Sequence, residues 1–314
     1  MLITGGGGFI GSHVASYFLQ SGYEVVLYDL KFDELLLRDV KAKLIRGSVS
    51  DIENLHRIVE KEKVSAILHL AALLSSDAEK NPEKWYEVNI HGTWNVFNIT
   101  LKYKLPIIFA SSIAAYGTNI PEIVSEEIYT LPTTLYGVSK QFGEMLGFWL
   151  MNKHDIDFVA FRFASVIGPG RKNGGASAYT TLMIQKPAQG EKYVAYVDEN
   201  TTIPIAYIKD VSALLLKTLE NFQKVKGIVY NIASLFPSPS AKEIANVVEK
   251  KLGKEMISFK PKPDLMKILN SWPKHMNYSK IINDLGWSPA YTSIEKIVED
   301  FINEVQTKRI FIME

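Results

Sequence analysis

Cysteine is absent from all 314 residues. That excludes disulfide staples, thiolate metal sites, iron–sulfur clusters and a cysteine nucleophile. Net charge is nearly absent too: 35 Lys and Arg stand against 34 Asp and Glu, a formal charge of +1. So balanced a chain lacks the basic footprint of a non-specific nucleic-acid binder, and no nucleic-acid partner is expected. No run of about 18 uninterrupted apolar residues occurs, so no membrane span is expected. No charged segment followed by an apolar core precedes the glycine cluster at Gly5, so a signal peptide is not expected and a cytoplasmic location is the default. Internal repeats and low-complexity tracts are also missing. What the chain does have is 47% hydrophobic residues, enough for a sizeable core in one large domain or two small ones.

The first half alternates short apolar runs with longer helical patterns. Strands are expected at Met1–Thr4, Glu24–Tyr28, Lys43–Arg46, Ala66–Leu70, Ile107–Ser111 and Asp157–Arg162. Most are continuous apolar runs, as when both faces of a sheet are covered. Helices are expected at Gly11–Ser21, Ile52–Glu62, Pro82–Leu101 and Leu135–Lys153. This order implies an α/β fold with a parallel, doubly wound sheet. After about Arg162 the rhythm breaks at a Gly- and Pro-rich loop, Gly168–Gly175. Strands then follow near Ile203–Ile208 and Ile228–Ile232, and helices near Asp210–Asn221, Ala241–Leu252 and Ser293–Gln306. Residues 1–163 read as a cofactor domain. Residues 164–314 read as a second, smaller, partly interleaved α/β substrate domain with segments crossing back, and a cleft between them suits a substrate.

The first strand runs into Thr4-Gly-Gly-Gly-Gly-Phe-Ile-Gly11, which opens a helix. Glycines there let the backbone approach a pyrophosphate, whose charge sits on the helix N-terminus. Asp29 ends the second strand 18 residues after Gly11, close to the ~20 expected of a ribose-binding acid. A carboxylate accepts from a ribose 2′-OH and repels a 2′-phosphate, so NAD is expected rather than NADP, although Lys31 lies two residues on. The fold is therefore expected to be Rossmann-type, with Gly5, Gly8, Phe9, Ile10, Gly11, Asp29 and Leu30 along the cofactor.

Tyr136 and Lys140 stand four residues apart and share a helix face. A lysine ammonium there is expected to lower the phenol's pKa from about 10 and make it a usable general base. Ser112 follows the Ile107–Ser111 strand, at the carboxyl end where open α/β sheets place ligands, and can hydrogen-bond the reacting oxygen.

These motifs together resemble the extended short-chain dehydrogenases/reductases, the NAD-dependent epimerase/dehydratase family. Besides the glycine loop and Asp29, the resemblance rests on His69-Leu-Ala-Ala72, Asn89 with Gly92-Thr93, Ser111-Ser112-Ile-Ala-Ala-Tyr-Gly117, and the 24-residue spacing from Ser112 to Tyr136. It implies an NAD-dependent enzyme in which Tyr136 is the acid/base, Lys140 binds the nicotinamide ribose, and Ser112 orients the substrate oxygen. It places Leu70, Ala71 and Ala72 along the cofactor and gives Asn89 a supporting part. Ser48 stands where many members carry an adenine-contacting Asp, so adenine binding is expected to lean on Val49.

Within the family, several segments are similar to the epimerase-like L-threonine dehydrogenases: Leu74–Pro82, Pro132–Gly137, Glu191–Tyr193 with Pro204 and Tyr207, and Ser271-Trp272-Pro273 with Ser279 and Gly286-Trp287. The resemblance implies oxidation of a small hydroxy amino acid or hydroxy acid, with Ser75, Ser112, Ser177 and Trp272 at the substrate. The substrate loop departs from that group's Gly-Thr-Thr-Asp-Tyr, reading Gly175-Ala-Ser-Ala-Tyr179, and Ala164 replaces a common proline. The alternative is a nucleotide-sugar 4-epimerase or dehydratase, for which Arg171, Lys172 and Lys192 are the candidate diphosphate clamp. Against it, Thr202–Asp210 contains no arginine. A remoter alternative is a non-catalytic NAD-sensing regulator, which the retained Tyr136 and Lys140 oppose.

No pair of the six histidines has metal-ligand spacing, so no metal site is expected, and His69 is expected to pack near the cofactor. Lys260, Lys262 and Lys267 read as a solvated face or a phosphate contact. Trp85, Trp94, Trp149 and Trp287 read as core or interface residues. The apolar helices Pro82–Leu101 and Leu135–Lys153 have counterparts that pair across a dimer axis in similar proteins, so a homodimer is expected.

Overall fold

The computed structural model describes residues 1–172, 174–225 and 228–308. Asn173, inside the expected Gly168–Gly175 loop, lies outside the described residues, as does the end of the expected second domain after 308. Five strands open the chain: β1 Leu2–Thr4, β2 Val26–Asp29, β3 Lys43–Arg46, β4 Ile67–His69 and β5 Ile107–Ser112. With Phe158–Phe163 and Ile228–Ile232 they form one seven-stranded sheet, ordered Ile228–Ile232, Phe158–Phe163, β5, β4, β1, β2, β3. Every pairing in it is parallel. β1, β4 and Phe158–Phe163 are buried along their whole length, which explains their unbroken apolar sequence. β3, at the edge, is mostly exposed and carries Lys43 and Arg46.

Helices cover both faces and enclose two apolar clusters. One face stacks Phe97 on Phe109 edge-on at 5.8 Å and on Phe158 at 6.0 Å. The strand order reverses between β1 and β4, and the cleft described below opens at the carboxyl ends of those strands. The last strand of the sheet, Ile228–Ile232, comes from the second half of the chain, so the two halves share one sheet.

Several expectations are corrected. The helix expected over Pro82–Leu101 is three pieces: Pro82–Trp85, a π-helical turn Tyr86–His91, and Gly92–Tyr103. The π turn holds Asn89, whose side chain accepts from Leu73 N (2.7 Å) and donates to Leu73 O (3.0 Å) and Ser139 Oγ (3.1 Å). The strand near Ile203–Ile208 is Ile205–Tyr207, with Ile208 already opening a helix. Among the described residues five strands without a sequence signal also appear: Ser165–Ile167 beside Ile205–Tyr207, Tyr193–Ala195 beside Ile257–Phe259, and Ile123–Val124 beside His275–Met276. Each has two or three residues, too few for a period to register. The unexpected helix Ala178–Ala188 is disguised by Pro187 in its last turn.

Candidate active site

At its N-terminal side the cleft is built from backbone. Gly5 sits at φ +71°, and a Cβ there would come within 2.6 Å of Ala71 N. Only glycine meets both demands. A Cβ on Gly11 would meet Gly6 Cα at 2.6 Å, so the helix can press against the loop only without one. Helix α1, Phe9–Gln20, begins at Gly8 with no side-chain cap and no acidic residue in its first turn. Its orphan N–H groups and dipole are left for an anion. Asp29 accepts from Gly7 N (3.0 Å, Oδ2) and Lys31 N (3.3 Å, Oδ1), which fixes the carboxylate at the end of β2. Ser48 Oγ shares a hydrogen bond with Ser50 Oγ at 2.7 Å, and buried Val49 offers the apolar wall expected for an adenine. Exposed Leu30 faces the same space.

The other end of the cleft is built on two elements. β5 delivers Ser112 at its carboxyl end, where Ser112 Oγ accepts from Ala114 N at 3.2 Å. The helix Leu135–His154 is capped by Thr134, whose Oγ1 accepts from Gly137 N at 3.1 Å, and it ends at Asp155 in the left-handed region. It presents Tyr136 to the cleft and buries Lys140 one turn on. Lys140 Nζ lies 5.3 Å from the Tyr136 ring centre and 5.2 Å from that of Phe109.

The expected lowering of the Tyr136 pKa is not found. Burial pushes the phenol up to about 12, against a side-chain hydrogen bond with Ser112 and the charge of Arg171. Lys140 is itself pushed down to about 7 by burial, opposed by Glu144. The i, i+4 spacing supplies proximity, but burial disfavours both charged forms. The cation acting on the phenol is Arg171, from the other side of the cleft.

Beneath these groups lies a buried ion pair. Arg162 donates through Nε (2.9 Å) and Nη2 (2.7 Å) to the two oxygens of Glu144, and Ser111 Oγ donates to Glu144 Oε1. Arg162 is 4% exposed and Glu144 fully buried. His69 lies between Thr4 Oγ1 (2.6 Å, at Nδ1) and Thr93 Oγ1 (3.1 Å, at Nε2). Burial, with Lys140 nearby, drives its pKa to about 3, so the imidazole is neutral.

One cleft of about 740 Å³ is lined by the residues expected at the cofactor and at a small substrate: Gly5, Gly8, Phe9, Ile10, Gly11, Asp29, Leu30, Ser48, Val49, Leu70, Ala71, Ala72, Ser75, Ser112, Tyr136, Lys140, Ser177 and Trp272. The glycine cradle, the uncapped helix end and the Asp29 carboxylate fit a dinucleotide, with its pyrophosphate on α1 and a ribose on Asp29. Lys172 also lines the cleft and pairs with Asp33 at 2.7 Å, whereas Lys192, Lys260, Lys262 and Lys267 are exposed and outside it. Among the described residues no group of three or more His, Asp or Glu is placed to hold a metal. No helix of the described residues is long and apolar enough to cross a membrane.

The model of the NAD-dependent epimerase/dehydratase family matches residues 1–233. The chain belongs to this family. It is an NAD-dependent enzyme, and NAD is its cofactor. It is similar to the mitochondrial L-threonine 3-dehydrogenase of Bos taurus, 26% identical over 96% of this chain and 82% of that one. A monomeric L-threonine 3-dehydrogenase from a metagenome superposes with a TM-score of 0.89 at 29% identity, covering 98% of each chain. A UDP-glucose 4-epimerase from Thermotoga maritima, solved with UDP-glucose, shares the fold with a TM-score of 0.86 at 24% identity, covering 98% of this chain and 99% of that one.

Of the residues expected as a diphosphate clamp, Arg171 lines the cleft beside Tyr136 and Ser177. Arg171 donates through Nη1 to Ser165 Oγ (3.3 Å) and Val166 O (2.9 Å), and through Nη2 to Ser177 Oγ (2.9 Å). The Gly-Pro-Gly-Arg sequence draws attention to this arginine. Only the fold shows its partners.

Proposed function

We propose that this enzyme is a dehydrogenase acting on the secondary alcohol of a small hydroxy amino acid or hydroxy acid, in the manner of an L-threonine 3-dehydrogenase. The observation that carries this reading is the meeting of Ser112, Tyr136, Lys140, Ser177 and Trp272 in a cleft whose other end is the glycine loop and Asp29. The L-threonine 3-dehydrogenases matched over nearly the whole chain support the substrate class.

NAD, when bound, supplies the hydride acceptor. The protein's own groups do the rest. Ser112 Oγ orients the substrate hydroxyl, and Tyr136 Oη takes its proton. General-base help of this kind is worth ~10²–10⁴-fold. Lys140 Nζ binds the nicotinamide ribose, and the charge of Arg171 favours the phenolate. Ser75 and Ser177 position the substrate, and buried Trp272 excludes water from its side of the cleft. Positioning lowers the remaining barrier. Residues 1–163 are the cofactor lobe in this reading and 164–314 the substrate lobe, with Ile228–Ile232 crossing back.

The test is NADH formation, followed by absorbance, with L-threonine and small hydroxy acids. A steady rate is expected. No rate with any of them, together with interconversion of UDP-glucose and UDP-galactose, would replace this reading with the epimerase alternative. The homodimer belongs to the same proposal, because Trp94 (42% exposed), Met145 (51%) and Trp149 (44%) lie on helices Gly92–Tyr103 and Leu135–His154. Such aromatic exposure suits a partner surface. Sedimentation should give a dimer, and a monomer at micromolar concentration contradicts it.

A further inference from the structure

The carboxylates that line the cleft, among the described residues, are Asp29 and Asp33. Both sit beside β2. Asp29 is held by the amides of Gly7 and Lys31, and Asp33 caps a short helix and pairs with Lys172. Around Tyr136 the charged lining groups are cations, Lys140 and Arg171. The cleft therefore has no acid at its reacting end to receive a substrate ammonium.

Arg171 is the opposite case, a cation with no acid of its own. Among the described residues no carboxylate pairs with it. Its three hydrogen bonds run to two hydroxyls and a carbonyl. They run from Nη1 and Nη2. Among the described residues no hydrogen bond is found from Nε, whose N–H lies on the edge of the planar fork that it shares with Nη2. That edge matches the two oxygens of a carboxylate in parallel hydrogen bonds. Burial pushes Arg171 down to about 10, opposed by the charge of Tyr136.

Resting on the dehydrogenase reading above, we propose that Arg171 binds the substrate carboxylate through this free edge and that nothing in the cleft reads a substrate ammonium. The substrate class is then a small hydroxy carboxylate whose amino group is dispensable. Ser165 and Ser177 act as positioning residues, because they hold the guanidinium by its other edge. A sugar diphosphate is the poorer match. It carries more charge, and Thr202–Asp210 supplies no second arginine.

The test uses the full chain loaded with NAD, titrated calorimetrically with L-threonine, 3-hydroxybutyrate, 3-hydroxybutyramide and UDP-glucose. Wild type is compared with Arg171→Met and Arg171→Lys, and unchanged NAD affinity reports that each variant is folded. The two acids should bind within about threefold of each other, and the neutral amide about 10- to 100-fold more weakly, as for loss of a charge-assisted pair. Arg171→Met should erase that gap and Arg171→Lys restore part of it. The proposal is overturned if the amide binds as well as the acids, if the gap survives Arg171→Met, or if L-threonine binds more than about tenfold tighter than 3-hydroxybutyrate. Binding of UDP-glucose alone overturns it too. Failure of the underlying reading looks different: the acids bind through Arg171, yet no NADH forms. The converse, NADH forming at an equal rate in Arg171→Met, removes the carboxylate site and leaves the dehydrogenase.

Discussion

Tyr136→Phe should lower kcat by at least ~10²-fold and leave NAD affinity within about twofold. The substitution removes one oxygen, the proposed proton acceptor, and leaves the ring that lines the cleft. Ser112 loses its hydroxyl partner but keeps its own bond from Ala114 N. The pH profile carries a second expectation. In the proposed mechanism the proton acceptor is the phenolate, and burial pushes the phenol up to about 12. The reactive fraction therefore grows with pH throughout the neutral range, and wild-type kcat/KM should rise from pH 6 to about 9. In Tyr136→Phe that rise should disappear. Steady-state kinetics over this range check both expectations. A variant within threefold of wild type, or one that keeps the same pH slope, contradicts the role of Tyr136.

Glu144→Ala should be the most destabilising single change in the site. It leaves the Arg162 guanidinium, 4% exposed, without its two-pronged partner, and it strips the acceptor from Ser111 Oγ. Breaking a buried pair by removing one member costs about 3–5 kcal/mol, because the surviving charge stays desolvated. In a chain of this size that is on the order of a 10 °C loss in Tm. Replacing both members, in Glu144→Leu with Arg162→Met, should recover a large part of the loss, since apolar pairs of similar volume substitute for buried ions at little cost. Thermal melts of the two variants decide it. A Glu144→Ala melt within about 2 °C of wild type means the pair contributes little.

The cofactor end of the cleft is legible in the sequence because its parts are local. A strand, a glycine turn and a helix follow one another within Leu2–Gln20, and Asp29 is the last residue of the next strand. Ser112 is legible for the same reason, since it ends β5. Tyr136 and Lys140 are legible as a spacing, but their electrostatics are not. Whether a phenol is lowered by its lysine or raised by burial depends on what covers both, and Phe109 and Arg171 arrive from distant segments. The substrate end is the least legible. Arg171, Ser165 and Ser177 meet through a three-residue strand paired with Ile205–Tyr207, a contact that no local pattern announces. The π turn at Tyr86–His91 escapes as well: its Asn89 is bonded to Leu73, sixteen residues away, a contact no local pattern announces.

The most direct measurement uses a substrate deuterated at the carbinol carbon, L-threonine or 3-hydroxybutyrate, incubated with the wild-type protein and NAD. The released dinucleotide is then analysed by mass. The predicted result is one deuterium per reduced nicotinamide, with the reduced cofactor free in solution and formation abolished in Tyr136→Phe. Reduced dinucleotide without deuterium, or no reduced dinucleotide with either alcohol, would contradict direct oxidation of a small hydroxy acid in this cleft.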